Sequence, residues 1–487
     1  MAGIGFELKK VFAKKGVLNA VKAYGYAAVI CTGPMLLGIL LLFGITGLCV
    51  LADIDLQTRE TLISMITYTM LGSTIITSFF SQVVTRFVSD MLFSEDNESV
   101  LPAFWGSIVV TLTIGSVVFG AFIATSGASF PQAALCFTLF GELIVVWTAM
   151  NFLSALKDYK SIFLSFFAAI AVSLLFGALF LACKLPAIES LLFSVTLGYG
   201  VMLIWDVILL HRYFPKSNKS AFTFLSWMDA FLPLALSGLF MILGMFSHLI
   251  IMWYSDIGIQ TKGLFFGAPQ YDVPSLLAYI TSLITTINFV ISVEVNFYHK
   301  YRNHYSLYND GGTIDNIKQS EREMIGTLKR ELFYAALKQL LFTMTVIALG
   351  GYLLDLLPLG FNEVMRGYFR TLCVAYGICA IGNMITLIQF YFTDYKGTLV
   401  ITAIFAATTT LFTLLSLLLP SIYYGFGFLL SSLVFAVAAA IRLNYFTKRL
   451  PYYILSVQPL VYEERRGPFT IISKILNGKL EEAKNDE

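Results

Sequence analysis

The chain has 487 residues, of which 57% are hydrophobic and only 13% are charged, and its mean hydropathy is +0.78. These values exclude a soluble globular protein and favour a protein that crosses a lipid bilayer many times. The formal net charge of +2 gives no sign of a nucleic-acid partner.

Apolar runs long enough to cross about 30 Å of hydrocarbon, roughly 20 residues each, recur along the whole chain. We predict about twelve transmembrane helices. The predicted spans are Tyr26 to Leu51, Leu62 to Val84, Leu101 to Ala124, Ala133 to Leu156, Ile162 to Cys183, Leu191 to Leu210, Ala230 to Tyr254, Val273 to Val295, Leu332 to Leu354, Phe369 to Phe392, Thr398 to Leu419 and Gly425 to Phe446. The first run is too long for a signal-peptide core, so we expect it to be retained.

Lysine and arginine collect on alternate connections, which the positive-inside rule assigns to the cytoplasm. The other side carries few basic residues: Arg59, Lys184, Lys262, Arg366 and Arg370. We therefore predict a multi-pass protein of the cell (inner) membrane with both termini in the cytoplasm. The partners expected for the basic face are membrane lipids rather than a dedicated ligand.

Two similar segments, Leu156-Lys157-Asp158-Tyr159-Lys160 and Phe392-Thr393-Asp394-Tyr395-Lys396, follow the fourth and tenth spans. A second pair, Arg212-Tyr213-Phe214-Pro215-Lys216 and Asn444-Tyr445-Phe446-Thr447-Lys448, follows the sixth and twelfth. The pairing predicts two six-span repeats that run in the same direction, an arrangement typical of alternating-access transporters. We interpret the paired Tyr-Lys residues as local anchors on the basic side.

The predicted fold is therefore an all-α integral membrane protein with two pseudo-symmetric six-helix bundles. Its predicted segments are an amphipathic cytoplasmic N-terminus (1–25), a first bundle (26–216), a linker (217–229), a second bundle (230–446) with a cytoplasmic insertion (298–331), and a cytoplasmic tail (447–487). In the N-terminus, the tail and the stretch that contains Met324, Leu328 and Leu332, we expect amphipathic helices on the membrane surface.

Polar side chains inside spans are costly, at least about 2.5 kcal/mol for a lone charge at the bilayer centre, and so mark candidate pathways. The candidates for a substrate or ion path are Glu142, Asn151, Asp206, His248, Glu294, Arg86 and Asp90. Glu142 is the deepest carboxylate, and we expect it to face a central cavity and to accept a proton or a cationic sugar.

The other candidates have structural explanations of equal or greater weight. Arg86 and Asp90 are spaced to pair along one helix face. Together with Asp206 and Glu294 they lie near the predicted cytoplasmic edge, where capping or snorkelling explains them as well as a gate does. His248, near the outer edge, is typical of a satisfied interfacial histidine.

Gly33 with Pro34 in the first span, and Pro233 in the seventh, occupy equivalent positions of the two repeats, and we expect them to bend these helices. No nucleotide-binding, catalytic or metal-ligand motif occurs, and the six cysteines fall in or beside apolar runs. We therefore predict no enzyme activity, no metal and no cofactor, with energy supplied by an ion gradient, a partner or polymer synthesis.

Several segments resemble the PelG family, the integral membrane component of Pel exopolysaccharide export. They are the opening Met1-Ala2-Gly3-Ile4-Gly5-Phe6-Glu7-Leu8, Tyr271-Asp272-Val273-Pro274 with Leu277-Ala278-Tyr279, and Glu294 with Phe297-Tyr298, Tyr301 and Tyr305. One departure is His248-Leu249, where the family is expected to carry an Asp-Lys pair.

The resemblance implies the fold of the multidrug, oligosaccharidyl-lipid and polysaccharide exporters and the export of a partly deacetylated amino-sugar polymer. It also implies three protein partners: a cytoplasmic glycosyltransferase (PelF-like), a cyclic diguanylate receptor (PelD-like) and a further membrane protein (PelE-like). Acidic groups such as Glu142 would suit a cargo with positive charge.

Other functions remain open for the same fold. They are an ion-gradient-driven drug exporter, a flippase for lipid-linked oligosaccharides and, more weakly supported, a scaffold that assembles a synthase without transporting anything.

Overall fold

The computed structural model describes residues 36–156, 158–309, 311–355, 361–456 and 467–485. Its helices are α1 (Leu36–Leu51), α2 (Leu56–Phe93), α3 (Val100–Thr125), α4 (Phe130–Leu156), α5 (Tyr159–Ala182), α6 (Ala187–Tyr213), α7 (Leu225–Ala230), α8 (Leu232–Trp253), α9 (Pro269–Ile291), α10 (Tyr298–Asn309), α11 (Ile314–Asp355), α12 (Glu363–Tyr391), α13 (Tyr395–Ser416), α14 (Gly425–Thr447), α15 (Leu450–Ser456) and α16 (Pro468–Asn485). Among the described residues, ten helices are long and apolar enough to span a bilayer, which confirms an all-α multi-pass membrane protein.

The N-terminal unit, whose described residues are 36–156, 158–246, 252–268 and 467–485, is organised around α4. Helix α4 packs against α2, α3 and α6, and α5 packs along α6. Large side chains such as Phe104, Phe140 and Phe152 fill the contacts of α4 and are fully buried. Apolar side chains of α3, including Val117 and Val118, point outward and are exposed, as lipid-facing residues are.

The C-terminal unit, whose described residues are 247–251, 269–309, 311–355 and 361–456, repeats this order of packing. Here α12 takes the place of α4 and packs against α9, α11 and α14, while α13 packs along α14. Helices α2, α3, α4, α5 and α6 thus correspond to α9, α11, α12, α13 and α14 in the same chain order. The sequence pairing of the fourth span with the tenth, and of the sixth with the twelfth, follows the same correspondence.

The aspartates of the paired motifs begin equivalent helices. Asp158 caps α5, accepting from Ser161 N at 3.2 Å, and also accepts from the Tyr213 hydroxyl of α6 at 2.7 Å. Asp394 caps α13 through Gly397 N at 3.1 Å, and Arg442 of α14 donates to both of its oxygens at 2.7 and 2.6 Å. In both repeats the aspartate therefore caps one helix and bonds the helix two places later. The interpretation of the Tyr-Lys residues as local anchors stays a prediction.

The insertion predicted at 298–331 is helical, and its second part is continuous with the ninth span. Helix α11 runs for 42 residues without a break, so Met324 and Leu328 are not on a separate surface helix. Both side chains are buried, and His304 of α10 bonds Ser320 of α11 through Nδ1 at 2.8 Å. The expectation of a membrane-surface helix here was wrong because α10 covers the apolar face.

A β-hairpin in the connection after α8 was not anticipated from the sequence. Strands β1 (Ile259–Lys262) and β2 (Phe265–Gly267) pair in antiparallel fashion. The hairpin belongs to the N-terminal unit: Phe265 is buried against the ring of Tyr68, and the Lys262 ammonium donates to Gln132 at 2.6 Å.

Close packing of α5 on α6 depends on a glycine. A Cβ at Gly198 would collide with the Ser173 hydroxyl and the Ala169 carbonyl oxygen of α5. Small residues allow this kind of approach between membrane helices.

We expect Gly198→Ala to lower the thermal unfolding midpoint of the detergent-solubilised protein, because the two helices must separate to admit the methyl group. Gly47→Ala is the matched control, since Gly47 of α1 has open space around its Cβ position. Equal midpoints for the two variants would contradict this account of the packing.

Candidate functional site

A cavity of about 370 Å³ lies within the N-terminal unit, between α2, α4 and α8. Its lining combines hydroxyl, amide, indole and apolar side chains: Thr74, Thr77, Ser78, Ser81, Gln82, Trp147, Met150, Asn151, Gly238, Met241 and Ile242. Helix α2 supplies the polar side, because its hydroxyl residues recur at spacings of three and four and so share one face.

Hydrogen bonds within the wall fix the two polar side chains of α4. The Ser81 hydroxyl donates to Asn151 Oδ1 at 2.8 Å, and Trp147 Nε1 donates to the Ser73 hydroxyl at 3.1 Å. These bonds hold the amide and the indole in defined positions at the cavity. Such preset polar groups are what orients a ligand in a binding site.

Most hydroxyls of α2 use their single proton on the helix backbone. Thr74 donates to Met70 O and Thr77 to Ser73 O, both at 2.8 Å. A hydroxyl oxygen that donates its proton keeps lone pairs, so the wall presents acceptors to a ligand.

Helix α8 closes the cavity through a close approach to α2. A Cβ at Gly238 would lie 2.7 Å from the carbonyl oxygen of Ser78. Glycine at this position therefore lets the backbone of α8 form a wall directly against the hydroxyl face.

Glu142 of α4 and Asp206 of α6 do not line this cavity. Glu142 Oε1 lies 3.3 Å from the position a Cβ of Gly200 would take, and Glu142 Oε2 is buried without a hydrogen bond. Asp206, six residues after Gly200 on α6, is fully buried, and neither of its carboxylate oxygens has a hydrogen bond of good geometry. The hydroxyl of Ser165 on α5 donates its proton to the Ile162 carbonyl oxygen.

Comparison with known protein families assigns the chain to one of them. Residues 1–455 match the family described as "PelG: Putative exopolysaccharide Exporter (EPS-E)". The chain belongs to the PelG family. The sequence resemblance to PelG is thus confirmed, whereas no curated protein matches the chain.

Solved transporter structures share the fold of this PelG family member. An outward-facing MATE multidrug transporter of the MOP superfamily aligns with a TM-score of 0.62 at 13% identity, covering 89% of this chain and 97% of that one. An inward-facing MATE transporter gives 0.54 at 14% identity, with 89% and 100% covered. A MOP superfamily transporter from Pyrococcus furiosus gives 0.55 at 12% identity, with 88% and 96% covered. The predicted fold, that of the exporter superfamily, is confirmed.

The structure separates the predicted site residues of this PelG protein into different places. Asn151 lines the cavity. Glu142 is not among the lining residues, because it lies on the face of α4 opposite Asn151 and turns toward α6. Asp206 is buried within the unit and not at a solvated edge, so snorkelling does not describe it.

Arg86 and Asp90 form an ion pair, Nε to Oδ1, at 3.0 Å. Trp227 Nε1 of α7 donates to the other carboxylate oxygen of Asp90 at 2.9 Å, and the Arg86 guanidinium lies over the Phe231 ring, 5.6 Å from its centroid. The pair thereby fixes the segment that precedes α8.

His248 is fully buried in the C-terminal unit. Its Nδ1 bonds the Tyr271 hydroxyl at 3.0 Å and its Nε2 bonds the Tyr376 hydroxyl at 3.2 Å, while its ring stacks on Phe428 with centroids 4.0 Å apart. Both ring nitrogens are satisfied, as expected of a structural histidine.

The remaining candidates lie at helix ends or in irregular turns. Pro233 lies in the first turn of α8, two residues after Phe231, where the chain breaks between α7 and α8. Its missing N–H leaves no helix bond unmade there, and the bend expected at this proline stays a prediction. Glu294 lies in a π-helical turn, Ser292–Phe297, a feature frequent at functional sites. Gly33 and Pro34 lie outside the described residues.

The hydroxyl face of α2, which lines the cavity, was not identified from the sequence. Its signal was present as small polar residues at helical spacing inside an apolar span. This pattern is a weak signal compared with a charged residue, because serine and threonine are common in membrane helices, where their hydroxyls bond the backbone.

Among the described residues, no group of histidine, cysteine or acidic side chains is arranged to hold a metal ion. Cys49, Cys136, Cys373 and Cys379 are buried free thiols, and Cys183 is exposed.

Proposed function

We propose that the protein exports a polysaccharide across the cell membrane and that the cavity of the N-terminal unit forms part of its path. The observation that carries the proposal is the chemistry of the wall. Hydroxyls, two amides and an indole line it, and none of the lining residues carries a formal charge.

This lining suits an uncharged, polyhydroxylated ligand. Sugar hydroxyls donate to and accept from serine, threonine, asparagine and glutamine side chains. The flat indole of Trp147 offers an apolar surface for the C–H face of a sugar ring together with a polar edge. A site for a cationic drug would instead be expected to place a carboxylate at the ligand, because desolvated charges require a partner.

The finer assignment is proposed from family membership. We infer a Pel-like amino-sugar polymer as the cargo, a PelF-like cytoplasmic glycosyltransferase as its source, and PelD-like and PelE-like proteins as partners. We further infer an inner-membrane location with both termini in the cytoplasm, a transport role without enzyme activity, and Glu142 and Asp206 as candidates for an ion step.

The test is to delete the gene while the synthase remains intact and to measure amino-sugar polymer outside and inside the cell. Loss of the extracellular polymer with intact synthase activity in isolated membranes is expected. Polymer outside the cell at normal levels would overturn the proposal. Loss of synthase activity itself would support the scaffold reading instead.

A further inference from the structure

Helix α16, near the end of the chain, docks on the segment between α6 and α8 through its polar face. Asp229 accepts hydrogen bonds from Phe469 N at 3.2 Å and from the backbone N and hydroxyl of Thr470, both at 2.7 Å. A residue of another segment thus caps the first turn of α16, where backbone N–H groups lack helical partners. A Cβ at Gly467 would collide with the Asp229 carboxylate, so only glycine permits this approach.

The next turns of α16 bond the backbone of Phe222. Its carbonyl accepts from the Ser473 hydroxyl at 2.7 Å, and its N–H donates to Asn477 Oδ1 at 3.1 Å. Thr470, Ser473 and Asn477 lie three and four residues apart and therefore share one face. The polar face of α16 is thus used up by contacts within the N-terminal unit.

The segment that holds α16 lies at the edge of the membrane, because it joins two membrane spans, α6 and α8. It is fixed there by further contacts. The Lys219 ammonium lies 2.6 Å from Asp96 Oδ1, and hydrogen bonds from Lys219 and Ser99 hold the pKa of Asp96 below its ordinary value. A Cβ at Gly106 of α3 would collide with the Ala221 carbonyl oxygen, so the segment also packs tightly on α3.

The opposite face of α16 is apolar and exposed. Ile471, Ile472 and Ile475 keep 60%, 45% and 53% of their surface uncovered, and Lys474 beside them is exposed. Helices of soluble proteins turn the apolar face inward and the polar face outward. The reversed orientation of α16, at the ends of two spans, is the one expected where lipid covers the outer face. Arg212 and Lys216, exposed at the same end of α6, add positive charge.

We propose that α16 is a membrane-interface helix that binds the lipid surface through Ile471, Ile472 and Ile475 while its polar face clasps the segment between α6 and α8. Exposed Lys474 gives it a preference for anionic head groups. The helix lies beyond residues 1–455, the part that matches the PelG family. The proposal is independent of the cargo.

The test places a nitroxide label at Ile475→Cys in full-length protein in which the exposed Cys183 is replaced by serine. The protein is placed in nanodiscs of phosphatidylcholine and phosphatidylglycerol, and power saturation is measured with oxygen and with a water-soluble nickel chelate. Asn218→Cys, at an exposed position of the same segment, is the matched control, and protein without an introduced cysteine gives the background.

We expect the label at 475 to relax strongly with oxygen and weakly with nickel, and the label at 218 to do the reverse. A label at 475 that is as accessible to nickel as the one at 218 would overturn the proposal, since the face would then meet water. Low accessibility to both reagents would also overturn it, because protein and not lipid would then cover the isoleucines.

Discussion

Replacing Asp394 by alanine is expected to destabilise the C-terminal unit by about 3 kcal/mol, near the lower end of what breaking a buried ion pair costs. Asp394 is buried, and the change leaves Arg442 without its carboxylate beside three aromatic rings. The cap of α13 is lost as well. The lower end applies because Arg442 keeps about a quarter of its side chain exposed, at 27%. The measurement is the unfolding midpoint of purified protein in mild detergent.

Asp158→Ala is the matched control, since Asp158 occupies the equivalent position of the first repeat. It loses a cap and a bond from the neutral Tyr213 hydroxyl, together about 1–2 kcal/mol. We therefore expect the Asp394 variant to unfold at the lower temperature. The reverse order would show that the ion pair does not dominate the stability of its motif.

The fold class was predictable because the bilayer imposes its own rule on sequence. Long apolar runs must be helices, since no other open structure satisfies the backbone in lipid. The Asp158 and Asp394 motifs then revealed the duplication. The structural role of these aspartates was not predictable. A side-chain contact between helices far apart in sequence, such as Asp394 with Arg442, leaves no local sequence pattern.

Hydropathy failed to predict the elements that depend on tertiary contacts. Helix α11 continues far outside its apolar stretch because α10 buries Met324 and Leu328, a tertiary contact without a periodicity of its own. The hairpin after α8 depends likewise on the docking of Phe265 in the N-terminal unit. Neither short strand has the length or alternation that identifies a strand.

The candidate site was predicted only in part, since charge is a strong signal and neutral polarity a weak one. Asn151 was identified as a polar residue within a span, but its partner Ser81 was not. Glu142 was expected at a cavity because a buried carboxylate is costly. The structure places Glu142 on the face of α4 opposite Asn151. Helical spacing shows that the two residues lie on opposite faces, but not which face lines the cavity.

The largest functional effect is expected from Trp147→Ala. The change removes the indole from the cavity and leaves the buried Ser73 hydroxyl without its donor. Losing the ring surface costs sugar binding about 1.4 kcal/mol, near the upper end of what an aromatic contact contributes, and this corresponds to a tenfold fall in occupancy of the path. Export, measured as extracellular polymer per molecule of inserted protein, should fall about tenfold.

Trp105→Ala is the matched control, because Trp105 is exposed on α3 and does not line the cavity. We expect it to export at nearly the normal rate. If both tryptophan variants export normally, the cavity of the N-terminal unit is not on the path.

Asn151→Asp then tests the charge of the cargo with almost no change in shape. The new carboxylate faces the Ser81 hydroxyl, which is able to donate to it as it donates to Asn151, so the fold should persist. A neutral polymer gains nothing from the negative charge and must pass a more strongly hydrated wall, so its export should fall. A cationic polymer would find a counter-charge where the wild-type cavity has none, and its export should rise. A fall in export would therefore indicate a neutral cargo that matches the neutral wall. A rise would indicate a charged cargo whose charge is balanced elsewhere, and Glu142 and Asp206 would be the next residues to replace.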